Sequence, residues 1–256
     1  MQHCWHNKAN IHKVMTTMTN PITGANYFLR GLSLIRQPGV KRFVIIPLLI
    51  NALIFTLLLW FISAYIGEFI DWLTPSLPDW LAWLSWLIWL LFAVSGGIIL
   101  FFTFTILANL VGAPFNSYLS AAVEKHLTGQ RPAAGNRPLS EEIVYALGGE
   151  LRKLLYFLMW GVPLLIASMI PALNLIAPVL WAFFGAWMLA IEYADYPLGN
   201  CGLAFPEIRK KLSQKKFLSL GFGGAVMLGT MIPLFNFLVM PVAVAGATAM
   251  RVEQFK

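Results

Sequence analysis

The chain has 256 residues, 59% of them hydrophobic and 11% charged, with a mean hydropathy of +0.72 and a formal net charge of +7. A soluble domain carries about 25% charged residues, so this composition excludes an ordinary water-soluble fold and indicates an integral membrane protein. The charges fall in five islands between long apolar runs, so the basic balance reads as membrane topology, and no nucleic-acid partner is expected.

Residues 1–42 hold six Lys/Arg and no acid, whereas residues 67–79 hold Glu68, Asp71 and Asp79 and no base. The islands 124–153, 192–216 and 251–256 each carry a basic excess. The positive-inside rule places the basic islands in the cytoplasm and 67–79 on the far side. Cys4 and Cys201 lie far apart with no ligand-like spacing, so neither a disulfide framework nor a metal site is expected. His3, Cys4, His6 and His12 read as part of an unstructured tail over residues 1–24. Met15 and Met18 are alternative starts. The first apolar run begins too late and is too long for a cleavable signal peptide.

In chain order, Asn26 to Ile35 reads as a short amphipathic interfacial helix with Phe28, Leu32 and Ile35 on one face, ended by Pro38-Gly39. Phe43 to Ile66 follows, 24 residues without a charge. At ~1.5 Å per residue it crosses a ~30 Å hydrocarbon core. Asn51 is its only amide, and two readings stand: helix–helix hydrogen bonding or direct contact with a solute. Residues 67–79 form an outer loop broken by Pro75 and Pro78. A second span is expected over about 80–113, flanked by Trp80, Trp83, Trp86 and Trp89. The first two fit an interfacial belt and the deeper two a helix–helix contact. Pro114 is read as a boundary, Phe115 to Leu127 as a cytoplasmic extension, and Ser140-Glu141-Glu142 as a capped helix start.

The last hundred residues contain a repeat. Met169-Ile170-Pro171-Ala172-Leu173-Asn174 recurs 62 residues later as Met231-Ile232-Pro233-Leu234-Phe235-Asn236, each copy followed by Pro-Val. The flanking arms span only ~14–25 Å, mostly less than the hydrocarbon core. Basic islands flank both stretches. The pattern predicts two hairpins, over about 154–191 and 217–250, that enter and leave on the cytoplasmic side and turn at Asn174 and Asn236. Four ordinary spans are the rival reading. Re-entrant backbone requires protein or a water-filled cavity around it, so the hairpin tips become pathway candidates. Gly221, Ala225 and Gly229 form a small-residue stripe that permits close helix approach. A homo-oligomer is the expected completion.

The expected fold is therefore all-α: two long transmembrane helices plus two re-entrant, half-penetrating helical hairpins, with interfacial and cytoplasmic helices. It forms one membrane domain over 25–250 and a cytoplasmic tail over 251–256. No nucleotide-binding loop or catalytic constellation appears, so neither an enzyme nor a cofactor is expected. The informative constellation is Gly39-Val40-Lys41-Arg42 at the start of the first span. A helix N-terminus offers unpaired N–H groups and about half a positive charge. Gly39 admits an anion close to the backbone, and Lys41 and Arg42 add two full charges. Lys-Arg before a span is also what topology alone requires. Glu192 and Asp195, where the first hairpin leaves the membrane, read either as proton-coupling groups or as interfacial acids. Arg209, Lys210, Lys211, Lys215 and Lys216 form a basic face that attracts anions or anionic membrane lipid. Arg152 and Lys153 are placed to snorkel to headgroups.

The stretches Gln37-Pro38-Gly39-Val40-Lys41-Arg42-Phe43, Ala113-Pro114-Phe115-Asn116, Ala177-Pro178-Val179-Leu180-Trp181, Trp187-Met188-Leu189-Ala190-Ile191 and Met240-Pro241-Val242-Ala243-Val244 resemble the CysZ sulfate permease family of bacterial inner membranes. The similarity covers nearly all of residues 25–250. It implies uptake of sulfate for reductive assimilation toward cysteine, a multimeric helical fold with half-penetrating hairpins, and a sulfate contact at Gly39 to Arg42. The family motif there is Gly-Leu-Arg followed by a second base. Lys41 for Arg exchanges a bidentate fork for a point charge. The resemblance favours the anion site over the topology reading. A less selective anion channel and a non-transporting membrane scaffold remain as alternatives.

Overall fold

The computed structural model describes residues 20–73, 83–130 and 139–255. All regular structure among them is helical: α1 (Pro21–Leu34), α2 (Arg42–Leu73), α3 (Ser85–Thr128), α4 (Leu139–Ser168), α5 (Pro171–Asn174), α6 (Ala177–Gly199), α7 (Phe205–Gln214), α8 (Lys216–Thr230) and α9 (Pro233–Gln254). Arg42–Tyr65, Gly148–Ser168, Ala177–Gly199 and Pro233–Gln254 are long and apolar enough to cross a bilayer, and Trp89–Phe104 is a shorter apolar run. This is the expected all-α membrane architecture. The helices divide into two compact units, Arg42–Phe115 and residues 20–41 with 116–255.

In the first unit α2 is 32 residues long, about 48 Å as a helix. It continues past Ile66 to Leu73, so the segment expected to begin the outer loop is helical. The breakers Pro75 and Pro78, and Asp79 and Trp80, lie outside the described residues. Phe55 and Phe104 pair α2 with α3 edge-to-face, ring centroids 5.2 Å apart. Trp86 and Trp89, expected at a helix–helix contact, are 62% and 48% exposed in the single chain. α3 also corrects the sequence reading, because it runs unbroken through Pro114. Its 44 residues reach about 66 Å, and its last part belongs to the second unit.

The second unit is built on close backbone approach. α1 starts at Pro21, with the Asn20 side chain accepting from the Ile22 N–H. It starts within the stretch read as a tail. It does not lie on the surface as an isolated interfacial helix, since Gly24, Tyr27, Phe28, Gly31 and Leu34 are buried. Gly221 faces the Pro21 carbonyl and Gly229 the Phe28 ring, so the small-residue stripe of α8 is the seat of α1, and the two helices run in the same direction. Gly31 and Gly246 bring α1 against α9 in the same way, and Gly223 lies on the Ala186 carbonyl of α6. Apolar surface gains nothing by leaving lipid for another helix, so packing of this kind does the work that hydrophobic burial does in water.

Both copies of the repeat adopt one local structure. Ile170 and Ile232 are extended (ψ 121° and 108°), the conformation favoured before proline. Pro171 and Pro233 then open α5 and α9, where a missing N–H costs nothing. The chain therefore reverses at Met-Ile, just ahead of the Pro-x-x-Asn segment where the turn was expected. After Asn174 the first copy breaks and restarts at α6, whereas the second runs on through Pro241. α8, with 15 residues, spans about 22 Å.

Candidate functional site

The α1–α2 connection is a compact turn. Gln37 O accepts from the Val40 and Lys41 N–H groups at 3.1 and 3.2 Å, and Gln37 N–H donates to Leu34 O. Gly39 closes the turn at φ +84°, a left-handed conformation that other residues adopt at a cost. Val40 is 1% exposed and anchors the turn. Gly39 and Lys41 are exposed. Arg42, the first residue of α2, is also exposed, with its guanidinium 4.7 Å from the Phe43 ring centroid. Neither Lys41 nor Arg42 forms an ion pair among the described residues. The Val40 and Lys41 amides are committed to Gln37. An anion at this turn would therefore meet the two side chains and the amides that open α2, rather than a nest made by residues 40 and 41.

Asn51 lies on α2 with its side-chain oxygen buried and, among the described residues, without a hydrogen-bond partner. Such an atom costs about 1–3 kcal/mol unless a further polar group satisfies it. Asn174 and Asn236 are exposed at the two hairpin tips. Around them Met169, Leu175, Leu234 and Phe237 are 71% to 86% exposed, an apolar surface suited to lipid or a second copy of the chain.

Glu192 and Asp195 are brought together by a residue that the sequence reading had sent to the headgroups. Lys153 is buried, its side chain 7% exposed, and its ammonium lies 3.0 Å from Glu192, 2.9 Å from Asp195 and 2.6 Å from Glu150. Arg152, the neighbouring base, is exposed. One cation thus serves three carboxylates on α4 and α6. The signal in the sequence was Glu150-x-x-Lys153, an i, i+3 pair at the membrane end of an apolar helix.

A second polar feature was missed. Asn116, Ser117, Ser120 and Glu124 share one side of α3 and point into the second unit. Asn116 Nδ2 donates to Tyr196 Oη (3.4 Å), Ser117 Oγ donates to Asn200 Oδ1 (2.6 Å) and Thr248 Oγ1 donates to Ser120 Oγ (3.0 Å). Glu124 and Arg251, both about 5% exposed, pair at 2.6 Å. The segment read as a cytoplasmic extension is therefore a buried polar seam of the bundle. Its i, i+4, i+8 spacing of polar residues was legible; that a partner helix would cover it was not.

Apolar helices of bilayer length, together with buried ion pairs and amide contacts, define a polytopic helical membrane protein, the class to which permeases belong. The family described as Sulfate transporter CysZ/Etoposide-induced protein 2.4 matches residues 27–241. The chain is 43% identical over 235 residues to the sulfate transporter CysZ of Pseudomonas aeruginosa, covering 91% of this chain and 96% of that protein. The proteins of the same description from Pseudomonas paraeruginosa and Pseudomonas fluorescens are 43% and 45% identical over the same length. The chain belongs to the CysZ sulfate transporter family.

Proposed function

We propose that this protein is a sulfate permease of the bacterial inner membrane, multi-pass and homo-oligomeric, that admits sulfate to the cytoplasm for assimilation toward cysteine. It hydrolyses no nucleotide of its own and is not an enzyme. The observation that supports this most is the family relationship over nine-tenths of the chain. Lys41 and Arg42, exposed at the opening of α2 and in no ion pair among the described residues, fit the reading. Sulfate is first held there by these two cations and by the N–H groups of the first α2 turn, which carry partial positive charge. Gly39 keeps the approach clear, since a Cβ there would meet nothing within 4 Å.

From that site the anion follows a route in which Asn51 offers an amide dipole and the tips at Asn174 and Asn236 are enclosed by neighbouring protomers. The hairpins enter and leave on the cytoplasmic side. The short α8 supports this topology, because it falls well below a full crossing. Glu192 and Asp195, held by Lys153, are the groups available for proton coupling. Membrane lipid covers the remaining apolar surface.

Radiolabelled sulfate uptake by the purified protein in liposomes tests the proposal. Sulfate uptake that chloride and phosphate fail to compete supports a selective permease. Uptake competed equally by these anions indicates a general anion channel. No uptake by well-folded protein leaves a membrane scaffold.

A further inference from the structure

Five bases follow Pro206-Glu207, and the fold sorts them. Lys215 turns inward, its ammonium donating to Gln254 Oε1 at 2.9 Å, and burial, reinforced by the Arg251 charge, holds the Lys211 pKa below the usual lysine range. Arg209, Lys210 and Lys216 instead line a groove of about 590 Å³ with Tyr156, Trp187 and Ser213. None of these three cations has an ion-pair partner among the described residues, and no acid lines the groove.

The groove is built from within. Trp187 Nε1 donates to Tyr156 Oη at 3.2 Å, which fixes the phenol as an acceptor on that side and leaves its own O–H to point elsewhere. The Arg209 guanidinium lies 5.1 Å over the Tyr156 ring, which orients its remaining N–H groups. The surface therefore presents one phenolic and several cationic donors, a set that matches a tetrahedral oxyanion. A second hollow of about 280 Å³ adjoins it and shares Tyr156, Pro206 and Arg209. Its other walls are Arg152 and the apolar Leu155, Met159 and Phe205. Leu155 and Met159 are 57% and 56% exposed on the apolar part of α4. A charged lobe thus opens directly onto an apolar lobe that continues into the bilayer-facing surface.

We propose that this paired groove is a binding site for an anionic phospholipid. The phosphate sits among Arg209, Lys210, Lys216 and the Tyr156 hydroxyl, and an acyl chain lies along Leu155 and Met159. A free inorganic oxyanion would use the first lobe and have no use for the second, whereas an amphiphile fills both. The site lies on the second unit and does not depend on the sulfate-handling role of Lys41 and Arg42.

The test uses the delipidated full chain in detergent, offered mixed micelles of phosphatidylglycerol or phosphatidylcholine, with retained lipid counted by native mass spectrometry. The expected result is several-fold greater retention of phosphatidylglycerol and a thermal midpoint raised by it alone. The Lys210→Gln/Lys216→Gln variant should lose that preference, the Lys210→Arg/Lys216→Arg variant should keep it, and millimolar sulfate or inorganic phosphate should not displace the lipid. Tyr156→Phe keeps the ring and removes the donor, so it should weaken retention even if the double Gln variant fails to fold. Equal retention of both lipids, or a preference untouched by Lys210→Gln/Lys216→Gln and by Tyr156→Phe, would overturn the proposal. Displacement by sulfate or phosphate would reassign the groove to a free oxyanion.

Discussion

The Lys153 ammonium lies 2.9 Å from the Asp195 carboxylate while also holding Glu150 and Glu192, so a single buried cation joins α4 to α6. Its removal leaves three carboxylates facing one another. Lys153→Met is expected to destabilise the protein by about 3 kcal/mol, the lower end for breaking a buried pair because Glu150 and Glu192 keep some water. Thermal unfolding in detergent measures this. The double variant Lys153→Met/Asp195→Asn should recover part of the loss, since it removes one of the stranded charges.

Two adjacent glycines give an internal control on helix packing. A Cβ at Gly223 would collide with the Ala186 carbonyl, whereas one at Gly224 meets nothing within 4 Å. Gly223→Ala should cost about 1–3 kcal/mol or prevent assembly. Gly224→Ala should be neutral or stabilising by up to about 1 kcal/mol through helix propensity. Both are read from the unfolding midpoint and the monodisperse fraction after purification.

Tyr27 gives a pH dependence with a definite sign. Its hydroxyl donates to Glu253 at 2.9 Å and accepts from Gln254. Burial, reinforced by the Glu253 charge and opposed by Gln254, pushes the phenol from 10.0 up to about 12. The unfolded chain then loses this proton first as pH rises, so its contribution to stability is intact below pH 10 and declines between about 10 and 12. Comparison of alkaline unfolding for the wild type and Tyr27→Phe should show a shallower decline in the variant over that range. Identical slopes would mean that the phenol does not titrate with folding.

Much of the fold was legible because lipid imposes simple constraints. The long charge-free apolar run announced α2. The paired Met-Ile-Pro-x-x-Asn copies marked both reversals to within a few residues, since a proline disfavours helical backbone before it and suits a helix start. What failed was long-range. Pro114 was read as a boundary, although a proline inside a long helix is tolerated when its neighbours re-satisfy the freed carbonyl. The burial of Asn116, Ser120 and Glu124 was not legible because their partners Tyr196, Thr248 and Arg251 lie 80 to 128 residues away. Lys153 was sent outward for the same reason: nothing near it in the sequence besides Glu150 announces the acids of α6. At Gly39 to Arg42 the positive φ was foreshadowed by Pro-Gly, but the capture of two backbone donors by Gln37 was not.

The hairpin topology can be read directly with single cysteines at the two tips. In a background lacking Cys4 and Cys201, Asn174→Cys and Asn236→Cys should resist a membrane-impermeant maleimide added from the periplasmic side of oriented vesicles. Rapid labelling from that side would favour full crossings instead of half-penetrating hairpins.

The central claim is that sulfate is met at the opening of α2 by Lys41 and Arg42. Radiolabelled sulfate uptake into proteoliposomes should be compared for the wild type and Lys41→Ala/Arg42→Ala, with matched assembly verified by size-exclusion chromatography. The expected result is robust uptake by the wild type and a loss of tenfold or more in the variant, about 1.4 kcal/mol of lost anion stabilisation or greater. Equal uptake by both proteins would contradict the claim and return the two bases to a purely topological role.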